Sequence, residues 1–180
     1  TGQQDPAESI RIAALELLTD SQPEQAIDAL SDTVRNGTLK AQQKSLELLG
    51  RIRRPEAREF LANAFGQLEA GSLPDGLTLD LLLAADQNNS KQLTALAKAF
   101  RDQQATADTT LGKWSDCLNG GDIERGKTIF FGRAAASCRR CHMVNGSGAN
   151  VGPDLSEIAK EKDRGYLLES IVDPNAKIAK

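Results

Sequence analysis

Cys138-Arg139-Arg140-Cys141-His142 is the stretch of this 180-residue chain whose residue types and spacing could do chemistry. Two thiols separated by two residues can each form a thioether to one vinyl group of a haem. The histidine that follows is held close enough to bind the iron from one side, which is why C-x-x-C-H is the attachment pattern of c-type haem. Two rival chemistries would use the same atoms. A structural zinc needs four protein ligands, and Cys117, Cys138, Cys141 and His142 would supply Cys₃His. A residue adjacent to a zinc-ligating cysteine seldom shares its metal, however, and no second C-x-x-C pair is present. A thioredoxin-like dithiol needs a βαβ setting, and no strand pattern surrounds the motif.

The flanking sequence favours the haem. Downstream, Met143 to Leu155 is a glycine-rich loop ending in Gly152-Pro153-Asp154-Leu155. An iron-bound imidazole needs a fixed acceptor for its other N–H, and a proline carbonyl on a stiff turn provides one. Upstream, Gly121 to Phe131 reads as a helix capped by Asp122, with Gly126 and Phe130 on one face. The order G-x-x-x-F helix, C-x-x-C-H, G-P-x-L resembles a class I cytochrome c over roughly residues 117–180. That resemblance implies one covalent haem c on Cys138 and Cys141, with His142 as the proximal iron ligand. It also implies that the Pro153 carbonyl orients the histidine and that Leu155 packs on the porphyrin.

The distal ligand is where the sequence departs from the family, whose methionine stands some tens of residues after the histidine. The single methionine here is Met143. Being next to His142 it cannot reach round to the opposite face of the ring, and it reads as loop packing. There is no second histidine. Lys177 and Lys180 are alternative ligands only after losing a proton, and a neighbouring chain in a dimer could also supply the ligand.

The elements that must position this motif are helical, and the expected fold class is all-α. Residues 1–112 carry an internal repeat: Leu15-Glu16-Leu17-Leu18 returns as Leu46-Glu47-Leu48-Leu49 and, more loosely, as Leu79-Asp80-Leu81-Leu82. A period of about 32 residues is that of helical solenoids. Each copy is followed by a helix start, at Pro23, at Pro55 and at Asn88-Asn89-Ser90. The expectation is three helical hairpins resembling HEAT repeats, which must stack on neighbours to bury their apolar faces. Arg51, Arg53, Arg54 and Arg58 fall at the turn of the second hairpin and read as a solvated charged turn.

Residues 113–120 read as a linker, with Asn119-Gly120-Gly121 as turn chemistry, Trp114 as an anchor between the two parts and Cys117 as a buried free thiol. The haem domain then spans 121–180. Ser156 should cap a helix through Lys160, and Asp163 a helix from Arg164 to Val172 that stops before Asp173-Pro174. The natural protein is expected to continue past Lys180. Leu118 to Asp122, the C-x-x-C-H motif, Gly152 to Leu155 and Tyr166 to Pro174 together resemble the planctomycete-type haem-binding domain. In that family the domain ends large exported proteins that often begin with a sugar-dehydrogenase-like β-propeller. The resemblance implies an exported or periplasmic electron-transfer role beside a dehydrogenase or other redox partner protein.

Composition narrows the alternatives. Residues 1–116 carry 12 Lys+Arg against 17 Asp+Glu, and residues 117–180 carry 10 against 8. Neither half has the basic surplus of a nucleic-acid binder, and no apolar run reaches the length of a transmembrane segment. No catalytic base, nucleophile or phosphate loop is evident. Electron transfer is the leading function, and a haem enzyme or gas-binding sensor is the alternative if no side chain fills the distal position.

Overall fold

A computed structural model describes residues 6–105 and 111–176. It is mainly helical and divides into two compact units, the first comprising residues 1–108 with 115–121, the second 109–114 with 122–180.

In the first unit the sequence makes six helices. They are α1 (Pro6–Ser21), α2 (Pro23–Asn36), α3 (Leu39–Arg51), α4 (Pro55–Glu69), α5 (Thr78–Asn88) and α6 (Lys91–Gln104). Their ends follow from local chemistry. Proline opens α2 and α4 where the first N–H groups have no helical partner. Thr38 and Ser90 accept from the backbone N–H of Ala41 and Leu93 and so cap α3 and α6. Asn89 ends α5 in the left-handed conformation (φ 55°), which asparagine tolerates better than most residues.

The helices stack in two rows. α1 packs on α3 and α3 on α5 in one row, α2 on α4 and α4 on α6 in the other, and the consecutive pairs α1–α2, α3–α4 and α5–α6 bridge them. The core runs down the middle, with Leu30, Leu46, Leu48, Leu49, Leu61, Leu77, Leu81, Leu82 and Leu93 fully buried beside Phe65. Burying each leucine stabilises the stack by about 1.5–3 kcal/mol relative to leaving it exposed.

The arginines at the second turn tie one pair to the next. Arg51 pairs with Asp20 and Arg54 with Glu24. Arg58 donates to Asn88 Oδ1 at 3.3 Å while the Asn88 amide donates to the Ile52 carbonyl at 2.9 Å. They are therefore not simply solvated. Exposed ion pairs of this kind contribute little energy singly, but they fix register.

Residues 115–121 return to this unit. Leu79 N–H donates to Asn119 O at 3.1 Å, Gly121 N–H donates to Asp80 at 3.2 Å, and the Gln43 amide donates to the Gly121 carbonyl at 3.2 Å. Cys117 does not lie buried as its type suggests. It sits exposed in a 3-10 segment, Gly112–Leu118, with Sγ 3.6 Å from Asp116. Partial desolvation first, then the Asp116 carboxylate, raises its thiol above the ordinary value and keeps it protonated. Trp114 is 43% exposed.

The second unit holds α7 (Ile123–Gly132), a short antiparallel ribbon of β1 (Met143–Val144) and β2 (Ser147–Gly148), then α8 (Ile158–Glu161) and α9 (Arg164–Val172). Asp122 caps α7 by accepting from Glu124 and Arg125 N–H, and Asp163 caps α9 by accepting from Tyr166 N–H. Ser156 does not cap α8. Its hydroxyl accepts instead from Asn145 N–H at 2.7 Å, so the helix begins later, after Glu157, without a side-chain cap. Among the described residues of 122–176, no apolar side chain is buried.

Candidate functional site

Cys138 begins a single 3-10 turn, Cys138–Arg140, entered through Ser137 in the left-handed conformation (φ 53°). The turn closes with Cys141 N–H donating to Cys138 O at 3.2 Å and His142 N–H donating to the same carbonyl at 3.0 Å. Both cysteines are free thiols, Cys138 half-buried and Cys141 exposed, and His142 follows directly. A tight turn with no disulfide leaves two sulfurs and one imidazole available to a single group.

The loop after the motif folds back and clamps it. Val151 and Gly152 N–H both donate to Cys141 O, at 3.1 and 2.7 Å, Ala149 N–H donates to Arg139 O at 3.0 Å, and Leu155 N–H donates to Met143 O at 2.9 Å. Asn145 and Gly146 reverse the chain with φ 50° and 75°, the paired positive values of a two-residue hairpin turn. Gly148, at φ 120°, lies so close to His142 that a Cβ there would stand 2.2 Å from the His142 carbonyl oxygen. Only glycine fits that position.

This clamp places the histidine. Nδ1 lies 2.9 Å from Pro153 O. A carbonyl can only accept, so Nδ1 carries the proton and Nε2 keeps its lone pair for a metal. Gly152 lies close to the ring, where a Cβ would stand 2.8 Å from Cε1 and 3.1 Å from Nδ1. Ring orientation is thus set by the hydrogen bond from Nδ1 and by the close approach of Gly152, and an iron-bound imidazole needs such a fixed acceptor for its other N–H.

Below Pro153, Asp154 Oδ1 accepts from the N–H of Ser156 at 2.8 Å and from its hydroxyl. These two bonds, the hydroxyl's first, lower the Asp154 carboxyl below its usual value. The Ser156 hydroxyl in turn holds Asn145. The chain Asp154–Ser156–Asn145 therefore braces the turn that carries Pro153. A depressed folded-state value contributes stability in full above the unfolded value, about 3.8, and loses it as the pH falls through the depressed value. The melting-temperature gap between the wild type and Asp154→Asn should accordingly be constant near neutrality and close in acid. A gap that persisted at about pH 2 would show that the carboxylate is not its source.

The residues expected at the site gather as follows. Cys138, Cys141, His142 and Pro153 meet in one clamp; Leu155 is half-buried, with its backbone bonded to Met143. Met143 lies in β1, adjacent to His142. Lys177 and Lys180 lie outside the described residues. Among the described residues no three His, Cys, Asp or Glu side chains converge to hold a metal. Sequence reasoning missed the ribbon, Gly148 and Ser156; the Asn145-Gly146 pair was the available signal.

The donor set fits a c-type haem. Two free thiols flank a turn, an imidazole presents Nε2, and the apolar side chains of the unit have no core of their own. Among the described residues no helix is long and apolar enough to cross a membrane. Comparison with curated proteins and with solved structures returned no match. Residues 123–179 match the family model for cytochrome c, a family whose members carry covalently bound c-type haem with iron. Residues 123–179 are therefore similar to a cytochrome c domain.

Proposed function

We propose that this chain is an electron-transfer protein carrying one c-type haem, joined by thioethers to Cys138 and Cys141 and ligated on its proximal side by His142. The observation that carries the reading is the 2.9 Å contact between His142 Nδ1 and Pro153 O, beside two unpaired thiols. When bound, the haem supplies a one-electron couple at its iron. The protein's own part is to fix the imidazole: the Pro153 carbonyl holds the Nδ1 proton, which raises the basicity of Nε2, while Gly152 blocks rotation of the ring. Leu155 lines the porphyrin in this reading.

The finer reading gives residues 1–112 as HEAT-like repeats that serve as scaffold or docking surface, 113–120 as the connection and 121–180 as the haem domain. The likeness of Tyr166 to Pro174 to the planctomycete-type haem-binding domain supports a redox partner of dehydrogenase type and an exported or periplasmic setting, in which cytochrome c domains typically work. The near balance of charge in residues 117–180 favours a partner recognised by shape more than by long-range attraction.

One observation favours a second reading. Residues 1–180 hold one histidine and one methionine, and they are neighbours, so within these residues neither is offered to the distal face. An iron that lacks a strong sixth ligand binds small gases or peroxide. Optical spectra of the haem-loaded chain, oxidised and reduced, with carbon monoxide then added, separate the two. A low-spin spectrum indifferent to carbon monoxide supports electron transfer. A high-spin spectrum that shifts with it moves the assignment to ligand binding, and no haem absorbance after maturation refutes both.

A further inference from the structure

Pro153 presents its carbonyl to His142 through one soft torsion. The pyrrolidine ring locks φ at about −65° and leaves no N–H to anchor the residue. The direction of the C=O therefore follows from ψ, and ψ follows from where the chain puts residues 154–156. Upstream the chain is already held, because Gly152 N–H donates to Cys141 O at 2.7 Å. Downstream, two hydrogen bonds among the described residues tie 154–156 to the ribbon and its turn. Leu155 N–H donates to Met143 O at 2.9 Å, and the Ser156 hydroxyl accepts from Asn145 N–H at 2.7 Å. One such link is a pivot. Two links fix the direction of the segment between them.

The second link is directional because of what lies on the other side of the hydroxyl. A serine hydroxyl has one proton and two lone pairs. Asp154 Oδ1 takes the proton and also accepts from Ser156 N–H at 2.8 Å, which leaves a lone pair for Asn145. Asn145 has no other use for its N–H in the ribbon. It stands in the left-handed conformation (φ 50°) at the hairpin tip, and the ladder, which pairs Met143 with Gly148 and Val144 with Ser147, ends before it. Donor, hydroxyl and carboxylate thus run in one sense, from Asn145 N–H to Ser156 Oγ–H to Asp154, and each bond polarises the next.

We propose that Ser156 is a positioning residue for the haem iron: its hydroxyl, held between Asn145 and Asp154, aims the Pro153 carbonyl at His142 Nδ1 and so sets the reduction potential. The inference rests on the haem reading given above. Without the hydroxyl, residues 154–156 pivot about the Leu155 link, Pro153 O moves away from its line to Nδ1, and the 2.9 Å bond weakens. A weaker bond leaves the imidazole less anionic, which disfavours the oxidised iron and raises the potential. The hydroxyl bonds neither the imidazole nor either attachment thiol. Its effect falls on the tuning of the haem and not on its capture.

Spectroelectrochemical titration of the haem-loaded chain, together with the proximal N–H resonance in the proton spectrum, tests this. Ser156→Ala should shift the iron's reduction equilibrium about threefold, roughly 30 mV upward at about 59 mV per tenfold for one electron, and should move the N–H resonance with it. Ser156→Thr keeps a hydroxyl on the same Cβ and should hold both readings at the wild-type values. Ser156→Val has the shape of that variant with a methyl in place of the hydroxyl, and should match Ser156→Ala. The threonine and valine pair reads the hydroxyl even where the alanine variant destabilises the unit. A potential and resonance unmoved in Ser156→Ala, or moved equally by Ser156→Thr and Ser156→Val, overturns the proposal. A potential that moves while the resonance stays also overturns it, by placing the effect outside the Pro153 bond. A wild-type chain without haem absorbance is a different failure, that of the haem reading, and takes this inference with it.

Discussion

Without haem, residues 122–176 are expected to lose their fold while helices α1 to α6 keep theirs. The reason is the distribution of burial. Every buried apolar side chain among the described residues lies between Ala26 and Ala97. In the second unit Ile123 is 82%, Val151 80% and Ile171 78% exposed, and the two phenylalanines of α7 stack edge to face while only half-buried. A domain of this size is marginal even with a core, and α7, α8 and α9 are all shorter than the length at which an isolated helix persists in water. A covalently attached porphyrin gives those side chains an apolar body to pack on. The measurement is amide hydrogen exchange on the chain made without haem maturation. Amides of α3 and α5 should stay protected, while those of α7 and α9 should exchange at rates close to an unstructured peptide's. The double variant Cys138→Ala/Cys141→Ala, passed through maturation, should give the same pattern. Protected amides in α7 and α9 of the haem-free chain would show that this unit folds on backbone hydrogen bonds alone.

The same contrast explains what the sequence could disclose. Features set by neighbouring residues were legible: the caps at Asp122, Asp163 and Ser90, the proline starts of α2 and α4, and the C-x-x-C-H spacing all act within a few residues. The buried leucines of α3 and α5 were legible because apolar residues at helical spacing mark the buried face of each helix. Features set by distant partners were not. Ser156 looks like a helix cap until Asn145, eleven residues earlier, takes its hydroxyl. Cys117 has the composition of a buried thiol, but its 3-10 segment leaves it exposed beside Asp116. The return of residues 115–121 to α5 depends on Asp80 and Gln43, far away in sequence. Leu17 and Leu48 hold matching positions in the Leu-Glu-Leu-Leu segments, yet Leu48 is fully buried and Leu17 is 69% exposed.

Gly152→Ala is expected to displace His142 and raise the haem's reduction potential. Gly152 has an ordinary backbone conformation and tight contact with the ring, so what demands glycine is the imidazole and not the local φ. A methyl group there would sit 2.8 Å from Cε1 and 3.1 Å from Nδ1, closer than carbon atoms approach without repulsion. Neither neighbour can yield freely. Gly152 N–H is bonded to Cys141 O at 2.7 Å, and His142 is tied to Cys138 through its own N–H. The strain falls on the softest link, the hydrogen bond from Nδ1 to Pro153 O. That bond gives the imidazole some anionic character and favours the oxidised iron. Losing a hydrogen bond worth about 0.5–1.5 kcal/mol corresponds to an upward shift of about 20–60 mV for one electron. Spectroelectrochemical titration of the wild type and Gly152→Ala measures the shift directly, and the proximal N–H resonance in the proton spectrum reports the bond itself. Haem should remain covalently attached, because both thiols are untouched. An unchanged potential together with an unchanged N–H resonance would mean that the loop absorbs the methyl by moving Gly152, and that Pro153 alone sets the ring.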